Sequence, residues 1–324
     1  MKRVCHQLLF VFLSLFIGPM LSAEGQGLSA DPATPAYKMA IGVSGQLRSV
    51  GSDTVSRLMS SWEEAFQEIY EGVNVIVEAK GSATAPPALL AGTAQIGPMS
   101  REMTPVEIDA FTKKYGYPPS VIRVAVDALA VFVNKENPIK GLTLTQVDGI
   151  FSSTGRRGGK DITQWGELGL GGDWANRYIT LYGRNSASGT HAFFKESALG
   201  RGHFKDTTTE RPGSGLVIQA VGWDLIGIGY SGIGFKSTAV KVLPLGRSLD
   251  NLIEPTAANA LDGSYPLSRF LFIYFNKAPG KPLEKTVSEF LKFVVSREGQ
   301  QIVVENGFFA LPAATCVDEM AKLR

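Results

Sequence analysis

The stretch VIRVAVDALAVFV, residues 121–133, decides the fold that the sequence predicts. It is a long run rich in β-branched residues, and a second β-rich run, FLFIYF, occupies residues 270–275. Each run is suited to carry the chain between two lobes, once outward and once back. We therefore predict a discontinuous lobe 1 (about 39–127 and 270–324) with lobe 2 (128–269) inserted in it. Two sequential domains are the less favoured alternative, because the C-terminal helix lacks a full core of its own.

Shorter patterns around these runs predict alternating helices and strands. VNVIV, residues 73–77, is typical of a strand, and Thr104-Pro105-Val106-Glu107 is a capping box with proline at the first helical position. Two further segments have apolar residues at helical spacing. Strands that alternate with helices indicate an α/β fold. The apolar helix residues are Val55, Leu58, Met59, Trp62, Phe66 and Ile69 in one segment and Leu283, Val287, Phe290, Leu291 and Val294 in the other.

The composition is that of a globular protein. Hydrophobic residues make up 44% and charged residues 19% of the 324 residues, which excludes a disordered chain, a disulfide-stapled miniprotein and a coiled coil. A chain of this length usually divides its core between two lobes. Its 32 Lys and Arg against 30 Asp and Glu leave no strongly basic surface, so nucleic acid is not an expected partner.

The first 23 residues have the pattern of a secretory signal peptide. A basic start at residues 1–3 precedes an apolar run over residues 8–21, and the small residues Ser and Ala follow it. A transmembrane anchor is the alternative, but the apolar run is too short to span a bilayer comfortably.

Removal of this segment changes what is expected of the rest of the chain. Cleavage after Ala23 removes Cys5 and leaves Cys316 as the one cysteine, so we expect a soluble protein without an internal disulfide. A secreted, disulfide-free protein fits the bacterial periplasm or the exterior, and the predicted location is the periplasm. Residues 24–38 are rich in Pro, Gly, Ala and Ser, and we interpret them as a tether.

Motifs for catalysis and metal binding are missing from the sequence. His191 and His203 are the only histidines after the signal segment, and there is no HExxH, no paired cysteine, no GxSxG elbow and no Walker loop. GIGYSG, residues 227–232, matches GxGxxG, but the residues after it predict a turn and a strand rather than a helix. We interpret it as a structural turn, and we expect no metal, no cofactor and no enzymatic activity.

Four short segments have a composition typical of anion-binding loops. Each has glycine or small hydroxyl residues at a strand end near a helical pattern, and two of them contain arginine. Helix N-termini offer unpaired N–H groups and partial positive charge, while arginine forms a fork that matches phosphate-like oxygens. An oxyanion-binding cleft and four unrelated helix caps both fit this composition. The segments are GSDT (51–54), GSAT (81–84), PMSR (98–101) and GRNSASGT (183–190).

In order and spacing, these motifs resemble the phosphate-binding proteins of bacterial phosphate ABC transporters, which belong to the type II periplasmic binding proteins. The resemblance implies two α/β lobes joined by a two-strand hinge, which close over inorganic phosphate. It also implies delivery to an inner-membrane ABC permease, and we expect a monomer. The matching segments are GSDTV (51–55), GSATA (81–85), IGPMSREM (96–103), VDALAVFVN (126–134), the pair Ile162 and Trp165, GRNSASGT (183–190) and IGYSG (228–232), within roughly residues 45–310.

The resemblance further implies which residues contact phosphate. The contacts from lobe 1 come from three loops, with Asp53 and Thr54 in the first, Ser82 in the second, and Ser100 and Arg101 in the third. The contacts from lobe 2 come from one loop, at Arg184, Ser188, Gly189 and Thr190.

Two positions depart from the pattern of the family. Arg101 stands where many members have an aspartate that accepts the proton of phosphate and so discriminates against sulfate. Our hypothesis is that Asp53 serves as this acceptor instead. Ser186 stands where an acidic partner of the arginine can occur, so we expect Arg184 to be less rigidly held.

Other functions stay open at this point. They are a secreted phosphatase-like enzyme, a phosphate-sensing or surface protein on the same scaffold, and a receptor for another oxyanion such as tungstate or a sugar phosphate. Outside the loops, we interpret Cys316 as a structural or semi-exposed thiol, Trp165 as a packing residue and Asp127 as a structural hydrogen-bonding residue near the hinge. Tyr230 and Ser231 are candidates for lining the cleft.

Overall fold

The computed structural model describes residues 29–324. The predicted signal peptide, residues 1–23, and the start of the predicted tether, residues 24–28, lie outside the described residues. No helix within residues 29–324 is long and apolar enough to cross a membrane.

Helices and strands alternate along the described chain, which confirms the predicted α/β class. In chain order the elements are β1 (Gly45–Val50), α1 (Ser56–Ile69), β2 (Val73–Glu78), α2 (Ala85–Ala91), β3 (Ile96–Met99), α3 (Pro105–Tyr115), β4 (Ser120–Asn134), β5 (Leu142–Thr143), α4 (Leu144–Phe151), β6 (Thr180–Arg184), α5 (Gly189–Ser197), β7 (Thr209–Arg211), α6 (Ser214–Trp223), β8 (Gly227–Gly232), β9 (Val240–Leu243), β10 (Leu245–Ser248), β11 (Asn251–Ile253), α7 (Ala257–Leu261), β12 (Ser268–Phe275), α8 (Lys285–Val294), α9 (Arg297–Glu305) and α10 (Ala313–Ala321).

The main sheet has the strand order β2-β1-β3-β12-β4-β8-β6-β7, and β9 also pairs with β4. Strands β1, β2 and β3 are parallel, whereas β12 runs antiparallel to both β3 and β4. Strand β4 pairs with β12 as far as Ala128 and with β8 from Leu129 onward. We call β2, β1, β3, β12 and the first part of β4 the first half-sheet, and the rest of β4 with β8, β6, β7 and β9 the second half-sheet.

The two long β runs seen in the sequence are therefore the strands that join the half-sheets. Strand β4 is a single strand of 15 residues, because nearly every side chain along it is apolar and buried on both faces. The pairing register of β4 with β12 sets Asp127 directly opposite Arg269. This places one carboxylate and one guanidinium between the two half-sheets.

The predicted helices form with small shifts at their ends. Leu58, Met59, Trp62 and Phe66 of α1 are buried in the core, and the Trp62 indole N–H donates to the Gly299 carbonyl at 2.8 Å. Helix α1 begins at Ser56, so Val55 lies in the preceding 3₁₀ turn, and α8 begins at Lys285, so Leu283 lies before it. The capping box at Thr104 and the strand at 73–77 are confirmed.

The prediction of a turn at GIGYSG, residues 227–232, is wrong. The segment forms the buried strand β8, and its small residues let that strand pack closely, since a Cβ on Gly229 would lie 2.8 Å from the Val221 side chain. The residues after it form a 3₁₀ turn, Ile233–Phe235, and then β9, as expected.

The described part of the predicted tether is packed on the protein. The Tyr37 hydroxyl bonds to the Tyr70 hydroxyl at 2.8 Å and donates to Glu289 at 3.0 Å, and the Tyr37 backbone N–H donates to Glu298 at 2.7 Å. The tether prediction is therefore wrong for residues 29–38, because an aromatic side chain with several polar partners holds this segment against the body of the protein.

Candidate anion-binding site

The four loops singled out in the sequence meet at one place in the fold. Three of them follow β1, β2 and β3, and the fourth follows β6 and leads into α5. The carboxyl ends of parallel strands lie at the same edge of a sheet, where helix N-termini also point. Gly51 allows the first loop to pass close to β3, because a Cβ there would lie 2.1 Å from the Pro98 carbonyl oxygen.

Three serines of the first half-sheet form a buried hydroxyl cluster. Ser52 Oγ donates to Ser100 Oγ at 3.0 Å, and Ser82 Oγ lies 3.2 Å from Ser100 Oγ. The Ser100 backbone N–H donates to Ser82 Oγ at 3.0 Å. Buried hydroxyls need hydrogen-bond partners, and here they supply them to one another.

The start of α5, in the second half-sheet, packs directly against this cluster. A Cβ on Gly189 would lie 2.4 Å from Ser82 Oγ and 2.7 Å from Ser100 Oγ, so only glycine fits at this approach. The Ala83 backbone N–H donates to the Ala187 carbonyl at 3.1 Å. The side chain of Ser188 caps the helix by accepting from the N–H groups of Thr190 and His191.

Two side-chain contacts also cross between the half-sheets. Thr54 Oγ1 lies 2.7 Å from Thr190 Oγ1, and both side chains are buried. Arg184 Nη1 lies 3.1 Å from Asp53 Oδ2. Eight of the nine residues predicted to contact the anion therefore meet in one group.

Arg184 is held firmly, so the expectation of a loosely held arginine is wrong. Arg184 is only 1% exposed to solvent, and its guanidinium donates to Ser214 Oγ and, at 2.9 Å, to the Pro212 carbonyl. Asp53 accepts from the Ser214 N–H at 2.7 Å. These partners take the place of the acidic residue missing at Ser186. Burial lowers the pKa of Arg184, whereas the Asp53 carboxylate opposes this shift.

Arg101 is the predicted site residue that does not join the group. Its guanidinium forms a two-point ion pair with Glu107, at 2.8 and 2.7 Å, and also donates to the Glu102 carbonyl at 2.8 Å. Glu107 belongs to the capping box of α3, so its carboxylate lies at the start of that helix. Arg101 therefore does not contact the hydroxyl cluster in this structure, because a bidentate carboxylate binds its fork.

Sequence reasoning missed Arg269, which contacts the group from β12. Its guanidinium donates twice to Asp127 Oδ2, at 3.0 and 2.7 Å, once to the Ser100 carbonyl at 2.9 Å and once to Thr190 Oγ1 at 2.8 Å. Asp127 also accepts from the Ile233 N–H at 3.1 Å, which confirms its interpretation as a hydrogen-bonding residue. The one signal for Arg269 in the sequence is a charge directly before the apolar run FLFIYF, residues 270–275.

The other residues singled out in the sequence, Trp165, Cys316 and Tyr230, are buried. Trp165 is fully buried and packs edge-on against Trp174, and Cys316 is a buried free thiol. The Tyr230 hydroxyl accepts from the Arg184 backbone N–H at 3.2 Å, so it supports the arginine loop from behind. The described residues 29–324 contain no group of three or more His, Cys, Asp or Glu placed to hold a metal ion.

Comparison with known proteins gives consistent matches over most of the chain. A family model described as a PBP superfamily domain matches residues 40–298. The phosphate-binding protein PstS of Pseudomonas aeruginosa is 53% identical over 300 residues, which cover 92% of this chain and 93% of that protein. The protein SphX of Synechococcus elongatus is 30% identical over 267 residues, covering 81% and 77%.

Solved structures agree with these relatives. A putative phosphate ABC transporter substrate-binding protein with bound phosphate, from Clostridium perfringens, has a TM-score of 0.70 and 27% identity, and the match covers 83% of this chain and 100% of that one. An ABC-type phosphate transport receptor from Vibrio cholerae has a TM-score of 0.64 and 24% identity, with coverage of 82% and 100%.

Proposed function

The chain belongs to the PstS phosphate-binding proteins of the PBP superfamily, and on this basis we propose that it binds inorganic phosphate for an ABC transporter. It is a binding protein and not an enzyme. The observation that carries the proposal is the meeting of three serine and threonine loops with the start of α5 and a buried arginine. Hydroxyl donors, helix N–H groups and a guanidinium are the groups that surround a tetrahedral oxyanion in a protein.

We place phosphate among eight residues of this group. The hydroxyls of Ser82, Ser100, Thr54 and Thr190 now pair with one another, and they can rotate to donate to phosphate oxygens instead. Ser188 already accepts two N–H bonds, which leaves its own hydroxyl proton free to donate. The proposed set is Asp53, Thr54, Ser82, Ser100, Arg184, Ser188, Gly189 and Thr190, without Arg101.

The predicted lobes and hinge belong to the same proposal. Residues 39–127 and 270–324 form lobe 1, residues 128–269 form lobe 2, and β4 and β12 serve as the two-strand hinge. The change of partner along β4 between Ala128 and Leu129 supports this division. Rotation about these strands opens the cleft, and closure brings the loops of both lobes onto the anion.

Asp53 remains our candidate for the acceptor of the phosphate proton. Its Oδ2 binds Arg184 and the Ser214 N–H, and the same carboxylate has a second oxygen that can accept. A carboxylate facing sulfate, which has no proton, is repelled, so this residue discriminates between the two anions. An Asp53→Asn variant that bound phosphate like the wild type and still rejected sulfate would contradict this role.

The cellular setting is proposed from the family and the N-terminal pattern. Export by a signal peptide at residues 1–23 takes the protein to the periplasm. There it acts as a monomer that delivers phosphate to an inner-membrane ABC permease.

Calorimetric titration tests the proposed function. The purified protein is titrated with phosphate, sulfate, arsenate and molybdate, and then compared with Arg184→Ala and with Arg201→Ala as a control. Arg201 pairs with Glu196 at the surface, so its loss leaves the site intact. We expect phosphate binding by the wild type and the control and its loss in Arg184→Ala. Absence of phosphate binding by the wild type contradicts the proposal, and tighter binding of another oxyanion corrects the ligand.

A further inference from the structure

Arg269 is the one arginine of the described residues whose guanidinium contacts predicted site residues from both half-sheets. It donates to the Ser100 carbonyl on one side and to Thr190 Oγ1 on the other. Its side chain is 3% exposed. It therefore lies inside the group of phosphate-binding hydroxyls rather than at the surface of the protein.

The pairing of β4 with β12 explains how a cation comes to lie there. Asp127 and Arg269 are cross-strand partners, and Asp127 is fully buried. Burying two charges is costly even when they pair. An ion pair with Asp127 that served only the structure would not require the Arg269 guanidinium also to donate to Thr190 Oγ1.

The number of donors leaves capacity for an anion. Arginine has five N–H donors. Two go to Asp127, one goes to the Ser100 carbonyl and one goes to Thr190 Oγ1. The fifth N–H of Arg269 is available to a phosphate oxygen. The N–H that now donates to Thr190 Oγ1 becomes available as well when the threonine hydroxyl turns to the same ligand.

The electrostatics of the group point the same way. Burial lowers the pKa of Arg184, and the positive charge of Arg269 lowers it further. The two guanidinium groups thus repel each other across the hydroxyl cluster. An anion between them removes this repulsion and is attracted by both.

We propose that Arg269 binds the phosphate directly as its second cation and that Asp127 is a positioning residue for its guanidinium. This inference rests on the proposed function. In this proposal Arg269, and not Arg101, is the second arginine that contacts phosphate.

A matched pair of arginine substitutions tests this assignment. Phosphate is titrated into the wild type, Arg269→Gln and Arg101→Gln, and each protein is also melted without phosphate. We expect Arg269→Gln to weaken phosphate binding about 100-fold, as for loss of one member of a buried charge contact. We expect Arg101→Gln to bind within about threefold of the wild type, because its partner Glu107 lies outside the group.

Two further variants separate binding from structure. Arg269→Lys keeps the charge, so we expect it to recover at least part of the affinity lost in Arg269→Gln. Asp127→Asn keeps the cation but loses its anchor, so we expect a smaller loss of affinity, about 10-fold. A purely structural role predicts lower melting temperatures in all three variants with unchanged affinity of the folded protein.

The double variant Asp127→Asn with Arg269→Gln covers the case in which Arg269→Gln does not fold, since it removes both buried charges together. We expect it to fold and to lose phosphate. Binding by Arg269→Gln or by the double variant within threefold of the wild type overturns the inference, as does a loss in Arg101→Gln equal to that in Arg269→Gln. A wild type that binds no phosphate contradicts the proposed function itself, and the inference falls with it.

Discussion

The contact of Gly189 with the serine cluster makes a sharp prediction about phosphate affinity. Gly189 is the first residue of α5, and a Cβ there would lie 2.4 Å from Ser82 Oγ and 2.7 Å from Ser100 Oγ. Both oxygens belong to short side chains that cannot swing far away. Gly189→Ala therefore pushes the start of α5 away from the loops of the first half-sheet.

The size of the effect follows from these distances. An ordinary Cβ contact begins at 3.4 Å, so Ser82 Oγ and the helix must separate by about 1 Å. The buried contact between Thr54 Oγ1 and Thr190 Oγ1, 2.7 Å long, also joins α5 to these loops, and a shift of this size takes that bond out of range. Loss of one buried hydrogen bond costs about 1–3 kcal/mol, which corresponds to about 5- to 150-fold in affinity.

Calorimetric titration with phosphate measures this loss directly. Gly171→Ala is the matched control, because Gly171 has a φ of −99° and nothing within 4 Å of an added Cβ. We expect the control to bind phosphate like the wild type, and urea unfolding without phosphate shows whether either change acts through stability. If Gly189→Ala binds phosphate within twofold of the wild type, the start of α5 does not need to approach Ser82 for binding, and the reasoning is refuted.

Three further predictions concern stability and reactivity. Thr104→Ala removes the capping hydroxyl that accepts from the Glu107 N–H, so we expect urea unfolding to show a loss of about 1 kcal/mol. Burial lowers the pKa of His191, whose ring lies tilted against Phe204, to about 4 from 6.5. The unfolded chain therefore binds the proton first, and the free energy of unfolding should fall as the pH falls from 6.5 to about 4. His191→Gln should flatten this slope, and an unchanged slope contradicts the assignment. Burial raises the pKa of Cys316 to about 11, so at pH 8 alkylation at this residue, followed by mass spectrometry, should be far slower in the native than in the urea-unfolded protein.

Local patterns in the sequence were enough to predict several of the helices and strands. The spacing of apolar residues predicted α1, and the capping box at Thr104 predicted the start of α3, because both signals depend on residues within a few positions of each other. Helix α1 begins one residue later than predicted because residues 53–55 form a 3₁₀ turn before it. The spacing of apolar residues does not distinguish this turn from the helix. The wrong interpretations also have physical reasons. Glycines at 227–232 were taken for a turn, whereas they serve close packing of a buried strand.

The four predicted loops lie together in the fold, and of the residues predicted to contact the anion only Arg101 lies apart from the group, paired with Glu107. Loop composition singled out the segments that contain Thr54, Ser82 and Ser100, because hydroxyls and glycines at strand ends mark helix N-termini in the sequence itself, and the resemblance to the phosphate-binding proteins then pointed to these residues. It could not say that Arg101 would meet Glu107 instead of the anion, since both destinations lie within reach of a long side chain.

By itself, the sequence determined the α/β class, the positions of α1, β2, α3, β4, β12 and α8, and the family, and it singled out four loops with the composition of anion-binding segments. These follow from periodicity, capping and short motifs, all of which are local. Only the tertiary structure decided which charged side chains meet. Arg269 and Asp127 are 142 positions apart along the chain, and only the pairing of β12 with β4 sets them opposite each other. That pairing depends on how the whole sheet is ordered, and no local pattern contains this information.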